Sequence, residues 1–190
     1  MIIAKIIFNI NLIVWLIPPL RQKGCRYFLF FLLLALSDPG WFILNYIQHN
    51  DSSFYYLIIS TLILAAVLNK NQLLLLLIPM SFIKIFLNNP EIRIFTIIIH
   101  FILLLYFLRE FLLIISRESR LVLFNLILLL YEASVLFKFS ASYFITAGYL
   151  FFYITTAFEI LIAVFFSLVN EKNSPVLKLQ MEPDQGGKFL

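Results

Sequence analysis

The sequence predicts an all-α protein, a polytopic transmembrane helical bundle of about seven spans. Hydrophobic residues make up 63% of the 190 residues, and charged residues only 13%, about half the share of a soluble domain. The 22 phenylalanines add to an apolar surface that a water-soluble fold of this size cannot bury. The apolar residues also form long runs separated by short polar segments. Lipid is therefore the predicted solvent for most of the chain.

Seven apolar runs are predicted to be spans, because a bilayer core of about 30 Å needs roughly 20 apolar residues per helix. The short polar segments between them predict antiparallel packing of successive helices. Spans three and four are short for a crossing, so a re-entrant pair is the alternative. The predicted spans are residues 2–20, 27–47, 54–68, 73–87, 94–116, 121–136 and 142–169.

The chain is predicted to contain a membrane domain, residues 1–169, followed by a polar tail, residues 170–190. The tail is too short and too polar to bury a core, which predicts a disordered cytoplasmic segment. The first apolar run is interpreted as a retained span and not a signal peptide, because most of its flanking basic residues follow it.

The positions of lysine and arginine predict which side of the bundle faces the cytoplasm. With the N-terminus outside, ten of the 14 basic residues fall on the inner side and four on the outer side. This bias predicts an N-out, C-in, multi-pass protein of the cell membrane. Lys138 is among the outer four and is expected to snorkel to the head groups. The richness in Ile, Leu, Phe, Asn and Lys is associated with AT-rich bacterial genomes, which favours a bacterial inner membrane.

Ionisable side chains inside the spans are the first candidates for function, because each costs about 2.5–3.5 kcal/mol to insert. Small polar residues share helix faces with some of them. Together they predict a polar path through the bundle, whereas the alternative is a set of single interhelical hydrogen bonds worth roughly 0.6 kcal/mol each. The candidates are Asp38, His100, Glu132 and Glu159, with Asn125 on the face of Glu132 and Thr155 on the face of Glu159.

In the second span, Pro39 and Gly40, directly after Asp38, predict a kink or a broken helix. Pro39 removes a backbone donor and clashes with the preceding turn. Asp38 is then expected to cap the second half of the helix. Broken helices at the midplane are typical of transporters, although a purely structural cap is the alternative.

Several kinds of chemistry lack their sequence motifs. The chain has no His-x-x-x-His or Glu-x-x-His spacing and no Gly-x-Ser-x-Gly elbow. Its one cysteine, Cys25, forms no thiol cluster. We therefore predict no metal site and no cofactor.

Three function classes remain. A small transporter or channel-like protein with a polar intramembrane path is favoured. The second is a non-catalytic accessory, assembly or sensor subunit, and the third a membrane-embedded lipid-modifying enzyme with Asp38 or Glu132 as acid or base. The expected partners are the lipid bilayer and either another membrane protein or further copies in a homo-oligomer. Nucleic acid is excluded because the basic residues flank apolar spans.

Overall fold

The computed structural model describes residues 2–48, 52–68, 89–144 and 148–178. These residues are mostly helical, which confirms the all-α prediction, and one two-stranded antiparallel sheet joins the helices. Predicted span 73–87 lies outside the described residues. The helices are α1 (Ile2–Trp15), the one-turn α2 (Pro18–Arg21), α3 (Phe28–Gln48), α4 (Ser52–Leu68), α5 (Asn89–Glu118), α6 (Leu123–Phe144) and α7 (Tyr149–Leu168), and the strands are β1 (Arg120–Val122) and β2 (Val176–Lys178).

Within the described residues, four helices are long and apolar enough to cross a membrane, judged by length and composition: Phe28–Tyr46, Glu91–Glu118, Leu123–Phe144 and Leu150–Leu168. Two shorter apolar helices accompany them. Many large apolar side chains on the outside of the bundle are exposed. A surface of this kind fits a membrane protein, since soluble monomers rarely expose large contiguous apolar patches.

The boundary between the last two long helices differs from the prediction. Helix α6 continues to Phe144, so the loop predicted at residues 137–141 is wrong, and α7 begins only at Tyr149. A helix of 22 residues matches the thickness of a bilayer core better than the predicted 16 residues. Lys138 consequently lies within α6 and not in an outer loop.

Helix α3 runs unbroken through its proline, so of the two forms predicted at Pro39 and Gly40, a kink or a broken helix, the broken helix is wrong. Membrane helices tolerate proline where neighbouring side chains supply extra hydrogen bonds. Here the hydroxyl of Tyr55 on α4 donates to the carbonyl oxygen of Ser37 at 2.7 Å. Gly40 makes room for this contact, because a Cβ atom there would collide with the Tyr55 hydroxyl. Asp38 is inside the continuous helix and cannot act as a cap.

Replacing Tyr55 by Phe is expected to lower the free energy of unfolding by about 0.6–1 kcal/mol, because the ring stays while the bond to Ser37 is lost. Unfolding titrations in mixed detergent micelles measure this difference. Tyr46→Phe is the control, because that side chain is 81% exposed. Equal losses in the two variants would contradict a bracing role for the Tyr55 hydroxyl.

The segment after α7 is ordered, so the disorder predicted for the tail is wrong for residues 170–178; residues 179–190 lie outside the described part. A 3-10 turn spans Glu171–Asn173, and β2 pairs antiparallel with β1. The carboxylate of Glu171 accepts a hydrogen bond from the backbone N–H of Arg26 at 3.0 Å. The Arg26 guanidinium in turn donates to Glu110 at 3.0 Å and to the Tyr106 hydroxyl.

The buried side chain of Gln22 also holds the segment after α7 against the start of the chain. Its fully buried amide donates to the carbonyl oxygens of Phe166 and Val169 at 3.1 and 2.9 Å. These contacts join the end of α2 to the end of α7, while Arg26 reaches α5 through Glu110. We call this region the basic end. Its basic residues are Arg21, Lys23, Arg26, Arg117, Arg120, Lys172 and Lys178.

An aromatic layer lies next to the basic end. Phe31 is fully buried, and its ring centroid is 4.7 Å from that of Phe166. Phe124 packs on Phe166 at 5.2 Å. Each of these rings is about two helical turns nearer the basic end than the polar residues of the same helix. The layer therefore separates the basic end from the polar middle of the bundle.

Candidate functional site: a polar cavity inside the bundle

A cavity of about 260 Å³ lies in the middle of the bundle, and every long helix of the described chain contributes to its wall. The cavity is unusual for the interior of an apolar bundle because its lining includes several ionisable groups. Its principal polar side chains are Asn11, Asp38, Ser60, His100, Lys138 and Glu159.

Three of the buried polar side chains form one hydrogen-bonded chain. The Ser60 hydroxyl on α4 lies 2.9 Å from Nε2 of His100 on α5. The other ring nitrogen, Nδ1, lies 2.5 Å from Oε1 of Glu132 on α6. The relative exposure of Glu132 is 1% and that of His100 is 4%. The hydrogen-bonded chain thus runs from the buried carboxyl group of Glu132 to the hydroxyl of Ser60 at the cavity wall.

This chain keeps its hydrogen bonds in two protonation states. An ionised Glu132 only accepts, so Nδ1 of His100 carries a proton. When the ring is neutral, Nε2 accepts from the Ser60 hydroxyl; when it is charged, Nε2 donates to the same oxygen. A hydroxyl rotates freely to suit either state. The three side chains can therefore store or pass a proton without breaking contact.

A second buried glutamate is neutralised separately. The ammonium of Lys138 on α6 donates to both carboxylate oxygens of Glu159 on α7, at 3.1 and 2.9 Å. The Glu159 side chain is only 8% exposed, whereas that of Lys138 is 31% exposed. Bidentate contact of this kind satisfies a carboxylate that would otherwise be very costly inside the bundle.

Asp38 differs from these two glutamates. No hydrogen bond or ion pair within 4 Å holds its carboxyl group among the described residues, although Lys138 acts on it electrostatically from a greater distance. The cavity therefore contains or contacts three acidic groups, but its two bases, His100 and Lys138, are each already bonded to a glutamate.

Asn11 provides a further unsatisfied group. Its residue is 6% exposed, it lines the cavity from α1, and its Oδ1 atom has no hydrogen-bond partner among the described residues. A buried carbonyl oxygen without a donor costs about 1–3 kcal/mol. Asp38 and Asn11 thus leave two acceptors in the cavity without donors.

Four of the six predicted path residues meet at this site. Asp38, His100 and Glu159 line the cavity, and Glu132 reaches it through His100. The other two do not line it. The Thr155 hydroxyl donates back to the Phe151 carbonyl oxygen of its own helix at 3.0 Å, and Asn125 is half-buried two turns from Glu132.

Sequence reasoning missed three members of the site. Lys138 was assigned to a loop, although extending the short sixth span to full length would have placed it inside. Ser60 belongs to a Ser-Thr pair in the middle of an apolar run, which is a weak signal. Asn11 sits in the first span, where we singled out no residue as part of the path.

The described residues contain no group of three or more His, Cys, Asp or Glu side chains that could hold a metal ion. No protein-family model matches the chain, and neither the curated proteins nor the solved structures include a match. Any function must therefore be argued from the geometry of the cavity.

Proposed function

We propose that this protein is a small proton-coupled carrier, a multi-pass protein of the cell membrane that moves a polar solute through the central cavity. The observation that carries the proposal is the hydrogen-bonded chain from Glu132 through His100 to Ser60. It ends at a cavity that contains the carboxyl group of Asp38, which no described residue pairs. A proton-accepting chain and a solute-sized space in contact are the two parts that coupled transport needs.

Energetic cost supports a functional role over a structural one. Buried ion pairs can usually be replaced by apolar side chains at no loss of stability, and sometimes with a gain. In a bilayer, ionisable residues are rare and typically mark proton relays or substrate paths. Two buried acid–base pairs and a third acid around one cavity are therefore better explained by transport than by helix association.

The proposed orientation follows from the basic end. Seven lysines and arginines gather there in the described residues, and basic residues concentrate on the cytoplasmic side of membrane proteins. We therefore place the basic end, including β1 and β2, in the cytoplasm, which corresponds to N-out and C-in. The bacterial inner membrane is the proposed location.

Reconstitution into liposomes that contain a pH-sensitive dye tests the proposal. Ammonium ions, amino acids and sugars are added outside in turn, and the internal pH is followed. Each change is measured as the excess over protein-free liposomes, because neutral ammonia crosses a bilayer unaided and shifts the internal pH by itself. We expect at least one class of solute to change the internal pH with the wild-type protein. Ser60→Ala is expected to slow this change at least about tenfold, since it shortens the relay. Glu118→Gln, at the basic end, is the control and should match the wild type.

Two results would contradict the proposal. One is the absence of any solute-dependent pH change with folded protein. The other is co-purification of a stoichiometric membrane-protein partner from mild detergent together with wild-type flux in Ser60→Ala, which would favour an accessory or sensor subunit.

A second candidate function is a serine hydrolase embedded in the membrane. The atom order from Ser60 Oγ to His100 Nε2 and from Nδ1 to a carboxylate is that of the catalytic triads of serine hydrolases. Such enzymes also need donors for an oxyanion, usually free backbone N–H groups. Ser60 lies in the interior of α4, where the helix uses its own N–H groups. Transport therefore fits the geometry better.

Labelling with a fluorophosphonate separates the two candidates. A hydrolase would form a covalent adduct at Ser60 that Ser60→Ala and Glu132→Gln abolish. We expect no adduct at Ser60 in the folded wild-type protein. An adduct at that position would replace the carrier proposal with a hydrolytic one.

A further inference from the structure

We propose that the cavity binds an organic ammonium cation, with Asp38 as its counter-ion and Asn11 as a hydrogen-bond acceptor. This inference names the solute of the proposed carrier and so rests on that proposed function, but binding can be tested without transport. It follows from the charge, the unsatisfied acceptors and the aromatic walls of the cavity.

Counted over the part of the chain that the structure describes, the charges around the cavity are one cation short. Glu132 is paired with His100, and Glu159 is held by both of its oxygens on Lys138. Asp38 is therefore the acid without a base among the described residues. An anion or a neutral sugar would leave that charge uncompensated in a low-dielectric space, whereas a bound cation completes the set.

The hydrogen-bonding groups point to the same chemistry. The Oδ1 atom of Asn11 is a buried acceptor that has no donor. An ammonium group presents several N–H donors and no acceptor, so one ligand can satisfy both Asn11 and the Asp38 carboxylate. A carboxylate-bearing solute would instead need a free donor, and Lys138 and His100 are already occupied.

The size and the apolar walls of the cavity favour an organic cation over a metal ion. A volume of about 260 Å³ holds a molecule on the order of ten non-hydrogen atoms, at about 30 Å³ for each water-sized unit. Aromatic faces attract ammonium ions, most strongly when water is excluded. The aromatic residues of the wall are Trp15, Tyr56, Tyr131, Phe139 and Phe152.

Proton coupling then has a direct physical cause. A cation and a proton compete for the Asp38 carboxylate, so binding of the cation expels the proton and the nearby Ser60–His100–Glu132 chain can take it up. The titratable groups around Asp38 on the packed helices are Tyr55 and Tyr56 on α4, His100 on α5, Tyr131, Glu132 and Lys138 on α6, and Glu159 on α7.

Calorimetric binding measurements on the full chain in detergent test this inference. The probes are methylammonium, benzylamine and tetramethylammonium, with benzyl alcohol as the neutral match for benzylamine. We expect at least one ammonium ion to bind and benzyl alcohol to bind at least about tenfold more weakly. Asp38→Asn should weaken ammonium binding at least about tenfold, because a buried charge loses its partner. Glu118→Gln should bind like the wild type.

The pH dependence is measured with methylammonium below about pH 9, where an alkylammonium ion of the lysine type stays charged and keeps its N–H donors. Its affinity should rise with pH in the wild-type protein, because deprotonated Asp38 is the binding form, and this rise should be much smaller in Asp38→Asn. Circular dichroism of Asp38→Asn checks that the variant is folded. If it is not, Asn11→Leu provides the second test, with an expected loss of benzylamine affinity of several-fold.

Failure of this inference is distinguishable from failure of the carrier proposal. Folded wild-type protein that binds none of the three ammonium probes, or binds benzyl alcohol equally well, overturns the ammonium site whatever the transport assay gives. Ammonium binding that depends on Asp38 without any solute-coupled pH change in liposomes overturns transport and leaves the ammonium site standing.

Discussion

Lys138→Met is expected to lower the free energy of unfolding by about 3 kcal/mol, at the lower end of the range for a broken buried ion pair. The loss arises because Glu159, with a side chain only 8% exposed, keeps its carboxylate but loses both of its hydrogen bonds. Removing the other partner of the pair, with Glu159→Gln, should lower the free energy of unfolding by less. The Lys138 side chain is 31% exposed, and its length lets the ammonium move toward a polar boundary.

A double-mutant cycle separates the pair from its surroundings. Lys138→Met combined with Glu159→Gln should be more stable than Lys138→Met alone, because the double variant no longer has a buried Glu159 carboxylate without its partner. Unfolding in mixed detergent micelles gives the four free energies. Lys172→Met, at an exposed lysine of the basic end, is the control and should stay within about 0.5 kcal/mol of the wild type. Strictly additive losses in the double variant would contradict a direct interaction between Lys138 and Glu159.

Helix boundaries were predictable where composition changes sharply. Helix α3 was expected at residues 27–47 and is found at Phe28–Gln48, because charged or polar segments flank it on both sides. The prediction for α6 is too short because it ends the span at residue 136 and places Lys138 in the loop that follows. Its ammonium is tolerated inside the bundle only because Glu159 of the next helix meets it, and that partnership depends on tertiary packing. A single sequence does not show which residue of a neighbouring helix lies beside Lys138.

The site was predictable as a set of residue types and not as an arrangement. Inserting an ionisable group into a span is costly, and that cost alone singled out Asp38, His100, Glu132 and Glu159. Their grouping into two satisfied pairs and one unpaired acid depends on which helices lie side by side. The break expected at Pro39 illustrates the same limit. Local chemistry favours a break there, but the hydroxyl of Tyr55, 16 residues later in the chain, braces the turn.

Glu132→Gln is expected to reduce solute-coupled proton movement at least about a hundredfold, the lower bound for loss of an acid–base group. Glutamine has nearly the shape of glutamate and its Oε1 atom still accepts from Nδ1 of His100, so the contact to α5 is kept. What disappears is the negative charge that stabilises a protonated ring. The relay to Ser60 thereby loses the acidic group at its buried end.

Measuring binding and flux on the same preparation decides between this role and a structural one. If Glu132 belongs to the relay, Glu132→Gln should keep the ammonium affinity and the thermal stability close to the wild-type values while its flux collapses. A parallel loss of stability, binding and flux would instead assign Glu132 to the packing of α5 on α6. Binding and flux can respond separately to this substitution because the proposed solute site, at Asp38 and Asn11, shares no hydrogen bond with Glu132 among the described residues.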